Sequence, residues 1–240
     1  MVKAVFFDWF NTLAHYDPPR EELQSQALRE FNINISPVQL LPGILVADRE
    51  YFEENTVNPV RQRSPEDQAK VFTRYQKTVL EQAGSDISPE PETLLKIMTR
   101  VQQLAEKISF VLFDDVLPTL KILKQQNLVM GLLTNLDSDM KPICLQLGLE
   151  PYLNFIITSG EVGSDKPHPP IFQGALRQAG VDAAAAVHVG DQYQTDVIGA
   201  RGVGITPVLL DRYQLSPEVD DCPKISSLTE LIEYLDLDVS

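Results

Sequence analysis

A doubly wound α/β fold, with a parallel sheet and an inserted α-helical module, is what this 240-residue sequence predicts. Three observations lead there. Five short apolar runs are continuous rather than alternating, which is the pattern of strands covered on both faces. Helix-length stretches separate the last four of them, giving a strand, helix, strand repeat. The section from His15 to Lys107 has no comparable run and carries several helix-start signals instead.

The first run, Val2 to Phe7, ends abruptly at Asp8. In the section after it, Ser36-Pro37-Val38-Gln39 offers a capping hydroxyl, a proline for the first helical position and a reciprocating Gln. Ser64-Pro65 and Ser88-Pro89 repeat the cap and proline pair, and each is expected to open a helix. Val71, Phe72, Tyr75, Val79 and Leu80 then share one helical face, as do Leu94, Leu95, Met98, Val101 and Leu104, so these stripes predict a bundle core. The remaining strands are expected at Leu128 to Leu133, Phe155 to Thr158, Ala186 to Val189 and Thr206 to Leu210. Helices are expected at Pro118 to Gln126, Ser138 to Leu147, Pro170 to Ala179 and Gln194 to Arg201. Residues 1–14 and 111–240 would form the core, and 15–110 the helical insert.

Composition narrows the function. Thirty-four acidic against 20 basic residues give a formal net charge of -14, a field that repels phosphate backbones and anionic membranes and argues against nucleic-acid binding. Cys144 and Cys222 are far apart and in no metal-ligand spacing, so neither a disulfide framework nor a zinc site is suggested. No stretch approaches the roughly 18 apolar residues of a membrane span, and no signal peptide is visible. A cytoplasmic protein with no membrane partner is expected.

In an open α/β sheet, ligands collect beyond the carboxyl ends of the strands. Asp8-Trp9-Phe10-Asn11-Thr12 follows the first run and Thr134-Asn135 the second. Gly163-Ser164-Asp165-Lys166-Pro167 lies near the third, and Gly190-Asp191 through Asp196 follows the fourth. Three acids, a hydroxyl and a lysine would meet on one rim. Clustered carboxylates repel unless a cation sits among them, and an oxygen-only donor set suits Mg²⁺. A metal-assisted phosphoryl site is therefore expected.

The ordered set of Asp8 with Thr12, then Thr134, Lys166-Pro167 and Gly190-Asp191 with Asp196 resembles the haloacid dehalogenase (HAD) superfamily of hydrolases. The resemblance implies a Rossmann-like catalytic core with a helical cap folded over the Asp8 rim, hinged near residues 14–18 and 110–116. It implies Asp8 as nucleophile toward phosphorus, with Asp8, the Phe10 carbonyl, Asp191 and Asp196 around Mg²⁺. Thr134 and Lys166 would be catalytic, and Thr12, Thr134, Asn135 and Lys166 would hold the phosphoryl oxygens of a small phosphorylated metabolite. HAD phosphatases carry a second aspartate two residues after the nucleophile; here Phe10 stands there and cannot transfer a proton, help that is typically worth about 10²–10⁴-fold. Asn11 replaces the usual glycine, a position that Asn tolerates.

Other readings stay open from the residues alone. Haloacid dehalogenases have an aromatic residue where Phe10 stands and need no metal, but the acidic pair Asp191 and Asp196 is not required by that chemistry. Phosphonate hydrolysis needs a Schiff-base lysine early in the cap, and there is none between Lys3 and Lys70. A non-catalytic scaffold binding a phosphate ligand is the remaining alternative. His15 and His168 are candidate substitutes for the missing acid, although a surface or loop histidine is the preferred reading of each. His188, inside a strand, is expected to be a buried, hydrogen-bonded residue. Arg49, Arg61 and Arg63 are read as solvated, and Trp9 as either core or pocket wall.

Overall fold

A computed structural model describes residues 1–106 and 108–237. Lys107, within the expected insert, and residues 238–240 of the expected core lie outside them. The chain divides into two compact units, Met1–His15 with Val111–Ser240, and Tyr16–Phe110.

The first unit is built on a six-stranded parallel sheet. Its strands are β1 (Ala4–Phe7), β4 (Val129–Thr134), β5 (Phe155–Thr158), β6 (Ala186–Gly190), β7 (Thr206–Leu210) and β8 (Lys224–Ile225), in the order β5-β4-β1-β6-β7-β8. The numbers β2 and β3 belong to Ala14–Asp17 and Ser109–Leu112, which pair with each other as a separate two-stranded sheet. All five apolar runs are strands of the large sheet; β8, at two residues, is too short to make a run. β1 lies between β4 and β6, with Ala4 opposite Val129 on one side and Ala186 on the other. Its four residues are buried, as continuous apolar strands demand.

Phe6, Leu133, Ile157, Ile171, Phe172 and Ile205 pack into one buried cluster on this sheet. Burial stabilises such side chains by about 1.5–3 kcal/mol each. Ile171 and Phe172 come from the helix Pro169–Ala179, opened by Pro169 and closed by Gly180 at φ 64, where the left-handed conformation favours glycine. Trp9 is also fully buried, so it is core. The helix expected over Gln194 to Arg201 is split into a π-helical turn, Tyr193–Val197, and a short α-helix, Ile198–Gly202.

The second unit holds four helices, α1 (Arg20–Glu30), α2 (Pro37–Val57), α3 (Pro65–Gln82) and α4 (Pro91–Ala105). α2 and α3 start at the expected prolines; the Ser36 amide donates to Gln39 Oε1 at 3.2 Å, and Ser64 Oγ accepts from the Asp67 amide at 3.2 Å. α4 does not start at Pro89. A residue before proline is pushed out of the helical region, and Glu90, preceding Pro91, is extended at φ -58 and ψ 149, so the first turn waits for Pro91. α1 follows Pro19 with no side-chain cap, which left no signal in the sequence. Leu28, Leu40, Ile44, Val79, Leu80, Leu94 and Ile97 form the core of this unit. Among the α4 stripe residues only Leu94 is fully buried, and Ile97 takes the deepest place. Among the described residues no helix is long and apolar enough to cross a membrane.

Candidate active site

β1 delivers Asp8, whose amide extends the ladder by donating to the Val189 carbonyl at 2.9 Å. The chain then turns tightly: the Trp9 carbonyl accepts from the Leu13 and Ala14 amides at 2.9 and 3.0 Å, and Asn11 takes φ 59. Left-handed backbone is tolerated by Asn because its short amide bonds locally. Here it donates to Asp191 Oδ2 at 3.4 Å. Phe10 occupies the turn as the expected replacement for an aspartate, and its backbone bridges to Ala14.

Lys166 is the hub. Only 2% exposed, its Nζ donates to Asp8 Oδ1 at 2.5 Å and to Asp196 Oδ1 at 2.7 Å. Asn135 holds the Lys166 backbone from both sides, accepting from its amide at 2.7 Å and donating to its carbonyl at 3.0 Å. The Asn135 side-chain amide is thus spent on positioning Lys166, a use that the sequence did not suggest. Thr134 is buried at the end of β4. The Thr12 hydroxyl is buried with no hydrogen-bond partner among the described residues, so its side chain is enclosed in the fold.

The third group comes after β6. Gly190 lets Asp196 lie against the strand: a Cβ at residue 190 would come within 2.2 Å of Asp196 Cγ. Asp196 accepts from Lys166, from His188 Nε2 at 2.9 Å and from the Gln192 amide at 3.0 Å. Asp191 accepts from Gln192 Nε2 at 2.9 Å. One carboxylate oxygen from each of Asp8, Asp191 and Asp196 lies within 4.8 Å of the others. Three acids share one ammonium, so the cluster carries excess negative charge and fits a divalent cation.

The charges respond accordingly. Burial pushes the Asp8 carboxyl up against the opposing pull of Lys166, and burial with the charges of Asp8 and Asp196 pushes Asp191 up strongly. Asp196 goes the other way: burial opposes its ionisation, but the Lys166 ammonium and the His188 hydrogen bond hold it below the ordinary range. The pH dependence has opposite signs for the two kinds. Asp196 adds stability above the unfolded carboxylate pKa of about 3.9, lost as pH falls below it toward the folded value. For Asp8 and Asp191 the unfolded chain releases its proton first, so stability declines as pH rises from about 3.9 through the folded values. A cation bound between them would offset that decline. Calorimetry is therefore expected to show Mg²⁺ raising the melting temperature more at pH 8 than at pH 5. At about 100 times its Kd the ion would add about 2.7 kcal/mol. Equal shifts at both pH values would exclude this carboxylate pair as the ligands.

Arg212, absent from the expected set, braces the Asp8 turn. It donates to the Asn11 carbonyl at 3.2 Å and the Thr12 carbonyl at 2.9 Å, makes a bidentate pair with Asp115 at 2.8 and 2.9 Å, and lies 4.0 Å from the Phe113 ring centroid. Asp115 also accepts from Ser227 Oγ and the Leu228 amide, both at 2.8 Å. The available signal was position: Asp211-Arg212 directly follows the fifth apolar run, on the rim already read after the other strands. Of the histidines proposed as substitute acids, His15 lies against Phe113 with ring centroids 4.8 Å apart, and His168 is exposed just before the helix Pro169–Ala179. Arg49 is half-buried, Arg61 is exposed, and Arg63 pairs with Glu54.

A parallel sheet that gathers a lysine and three aspartates at the carboxyl ends of its strands defines a Rossmann-like hydrolase of the acid and lysine type. A family model described as haloacid dehalogenase-like hydrolase matches residues 2–204, and the chain belongs to that family. It is 38% identical over 124 residues to haloacid dehalogenase-like hydrolase domain-containing protein 3 of Mus musculus, a match covering 50% of this chain and 49% of the mouse protein. The chain thus spans about half the length of that relative. Glyceraldehyde 3-phosphate phosphatase of Methanopyrus kandleri is 28% identical over 92% of this chain and 90% of its own. Among solved structures, a 2-haloacid dehalogenase from Pseudomonas syringae pv. Tomato DC3000 is 28% identical with a TM-score of 0.56, covering 98% of this chain and 99% of its own.

Proposed function

We propose that this HAD-family hydrolase is a Mg²⁺-dependent phosphatase of a small phosphorylated metabolite, working through an aspartyl-phosphate on Asp8. The observation that carries the reading is Lys166 shared between Asp8 and Asp196 at 2.5 and 2.7 Å, with Asp191 alongside and no second ammonium bonded to the three acids among the described residues. The archaeal relative named for glyceraldehyde 3-phosphate supports the substrate class. The units support an assignment of residues 15–110 as the cap and of 1–14 with 111–240 as the catalytic core.

Asp8, the Phe10 carbonyl and Asp191 would hold the ion, with Asp196 beside them. When bound, Mg²⁺ supplies Lewis-acid neutralisation of charge on the phosphoryl oxygens. Asp8 attacks phosphorus with one carboxylate oxygen; the bond to the leaving oxygen breaks and carries its electron pair away. Lys166 stabilises both the nucleophile's position and the charge on the transferring group, with Thr134 and the Asn135 backbone as further donors. Water then attacks phosphorus, and the bond to Asp8 breaks to give inorganic phosphate.

No proton donor stands at residue 10. Substrates with good leaving groups, such as acyl phosphates and p-nitrophenyl phosphate, are therefore expected to outperform alkyl phosphates. Phe10→Asp is expected to raise alkyl-phosphate turnover selectively, by up to about 10²-fold. Efficient alkyl-phosphate hydrolysis left unchanged by that substitution would mean that another residue donates the proton.

The decisive assay compares phosphomonoesters, acyl phosphates, phosphonates and 2-haloacids, each with Mg²⁺ and with EDTA. Phosphate release that EDTA abolishes is the expected result. Halide release indifferent to EDTA would replace the phosphatase reading with dehalogenation, the chemistry named for the Pseudomonas structure. Phosphate binding without turnover would leave a non-catalytic scaffold.

A further inference from the structure

His188 stands in the middle of β6, opposite Phe6 of β1 and Pro207 of β7, and is wholly buried. Its ring meets the edge of Phe172 with centroids 5.2 Å apart and planes at 88°. A leucine or phenylalanine would fill this place in the core without any polar atom. The histidine instead aims Nε2 at Asp196 Oδ1, 2.9 Å away, and leaves Nδ1 buried with no hydrogen-bond partner among the described residues. An ionised carboxylate only accepts, so Nε2 must carry the hydrogen, and Nδ1 is left without a partner among the described residues. Leaving a buried ring nitrogen unsatisfied is unfavourable, so the ring is a poor choice as packing alone.

The bond lands on the oxygen that also accepts from Lys166. Oδ1 of Asp196 is fixed by His188 and Lys166, and Oδ2 by the Gln192 amide at 3.0 Å with the Thr195 hydroxyl at 3.4 Å. With both oxygens engaged, the carboxylate cannot turn about its terminal bond. An ammonium has three N–H groups. One goes to Asp196 and one to Asp8, which leaves a third in a direction set by the first two. We propose that His188 is a positioning residue: by fixing Asp196 Oδ1 it orients Lys166 so that the third N–H meets the phosphoryl group on Asp8. The assignment rests on the phosphoryl-transfer reading and adds to it a residue with no contact to substrate.

The test uses beryllofluoride, which forms a phosphoryl-like adduct on a carboxylate, observed by ¹⁹F NMR with Mg²⁺ on the full chain. His188→Met keeps volume and loses the donor; His188→Gln keeps an N–H of similar reach; His188→Leu is a second donor-less variant should the first not fold. Removing an outer partner of this kind typically costs 10–100-fold. The adduct is expected to weaken about 10-fold in the Met and Leu variants and to be restored within about threefold in the Gln variant. With p-nitrophenyl phosphate the loss should fall on kcat and leave KM nearly unchanged. Equal adducts in wild type and all variants would overturn the role of His188 alone. Equal weakening in all three variants, in step with lower melting temperatures, would reduce it to packing. No adduct in wild type would overturn the phosphoryl site together with this role.

Discussion

Asp8→Asn is expected to abolish phosphate release, lowering turnover of p-nitrophenyl phosphate by about 10³-fold or more, because an amide cannot attack phosphorus and return a carboxylate. The fold should survive. Asp8 is a carboxyl whose ionisation burial disfavours, and Lys166 keeps Asp196 as its partner when the charge at residue 8 is removed. Stability should therefore change little while activity collapses, and phosphorylated protein should no longer be trapped in single-turnover experiments. Near-normal turnover in the variant, with the same requirement for Mg²⁺, would move the nucleophile elsewhere.

Lys166→Met should show the opposite balance, losing both activity and stability. Lys166 and Asp196 are each only 2% exposed at the side chain, and Asp8 is 13% exposed. Removing one partner of a buried ion pair costs about 3–5 kcal/mol, because the remaining charge is left unpaired. In a chain of this length that corresponds to a drop in melting temperature on the order of 10 °C. Adding Asp196→Asn to Lys166→Met should recover part of the lost stability and none of the activity, since the second change removes the stranded charge. A single variant that melts like wild type would show that the lysine contributes no net pairing energy. Mg²⁺ should stabilise the Lys166→Met variant more than wild type, because it would supply counter-charge that the lysine no longer provides.

The core was legible because its strands are unbroken apolar runs that stop at polar residues, and because the polar residues that follow Phe7, Leu133 and Val189 lie next to one another in the sheet. What stayed hidden has physical causes. β8 is a two-residue strand, below the length at which any pattern forms. Pro89 and Pro91 compete for the start of α4, and the second wins because it bars Glu90 from the helix. Asn135 is a polar residue after a strand, like the others, and nothing in its type says that its amide clips the Lys166 backbone instead of facing a ligand. The Arg212 and Asp115 pair joins residues 97 apart in the chain, one after a strand and one before a helix, and only the fold makes them neighbours. His188 was expected to be buried and bonded; that its partner is the carboxylate holding Lys166 requires the depth of Asp196 over Gly190.

The place of β1 in the sheet has a consequence for biosynthesis. The strand ends at Phe7, yet its two neighbours begin at Val129 and Ala186. A ribosome adding about 5–20 residues per second needs on the order of ten seconds to make the first neighbour after β1 is complete, and longer for the second. Through that interval Ala4 to Phe7 emerge with both edges unpaired, while the four helices from Arg20 to Ala105 are completed and can fold on local contacts. All four helices are thus complete in the chain before the central strand has either of its partners.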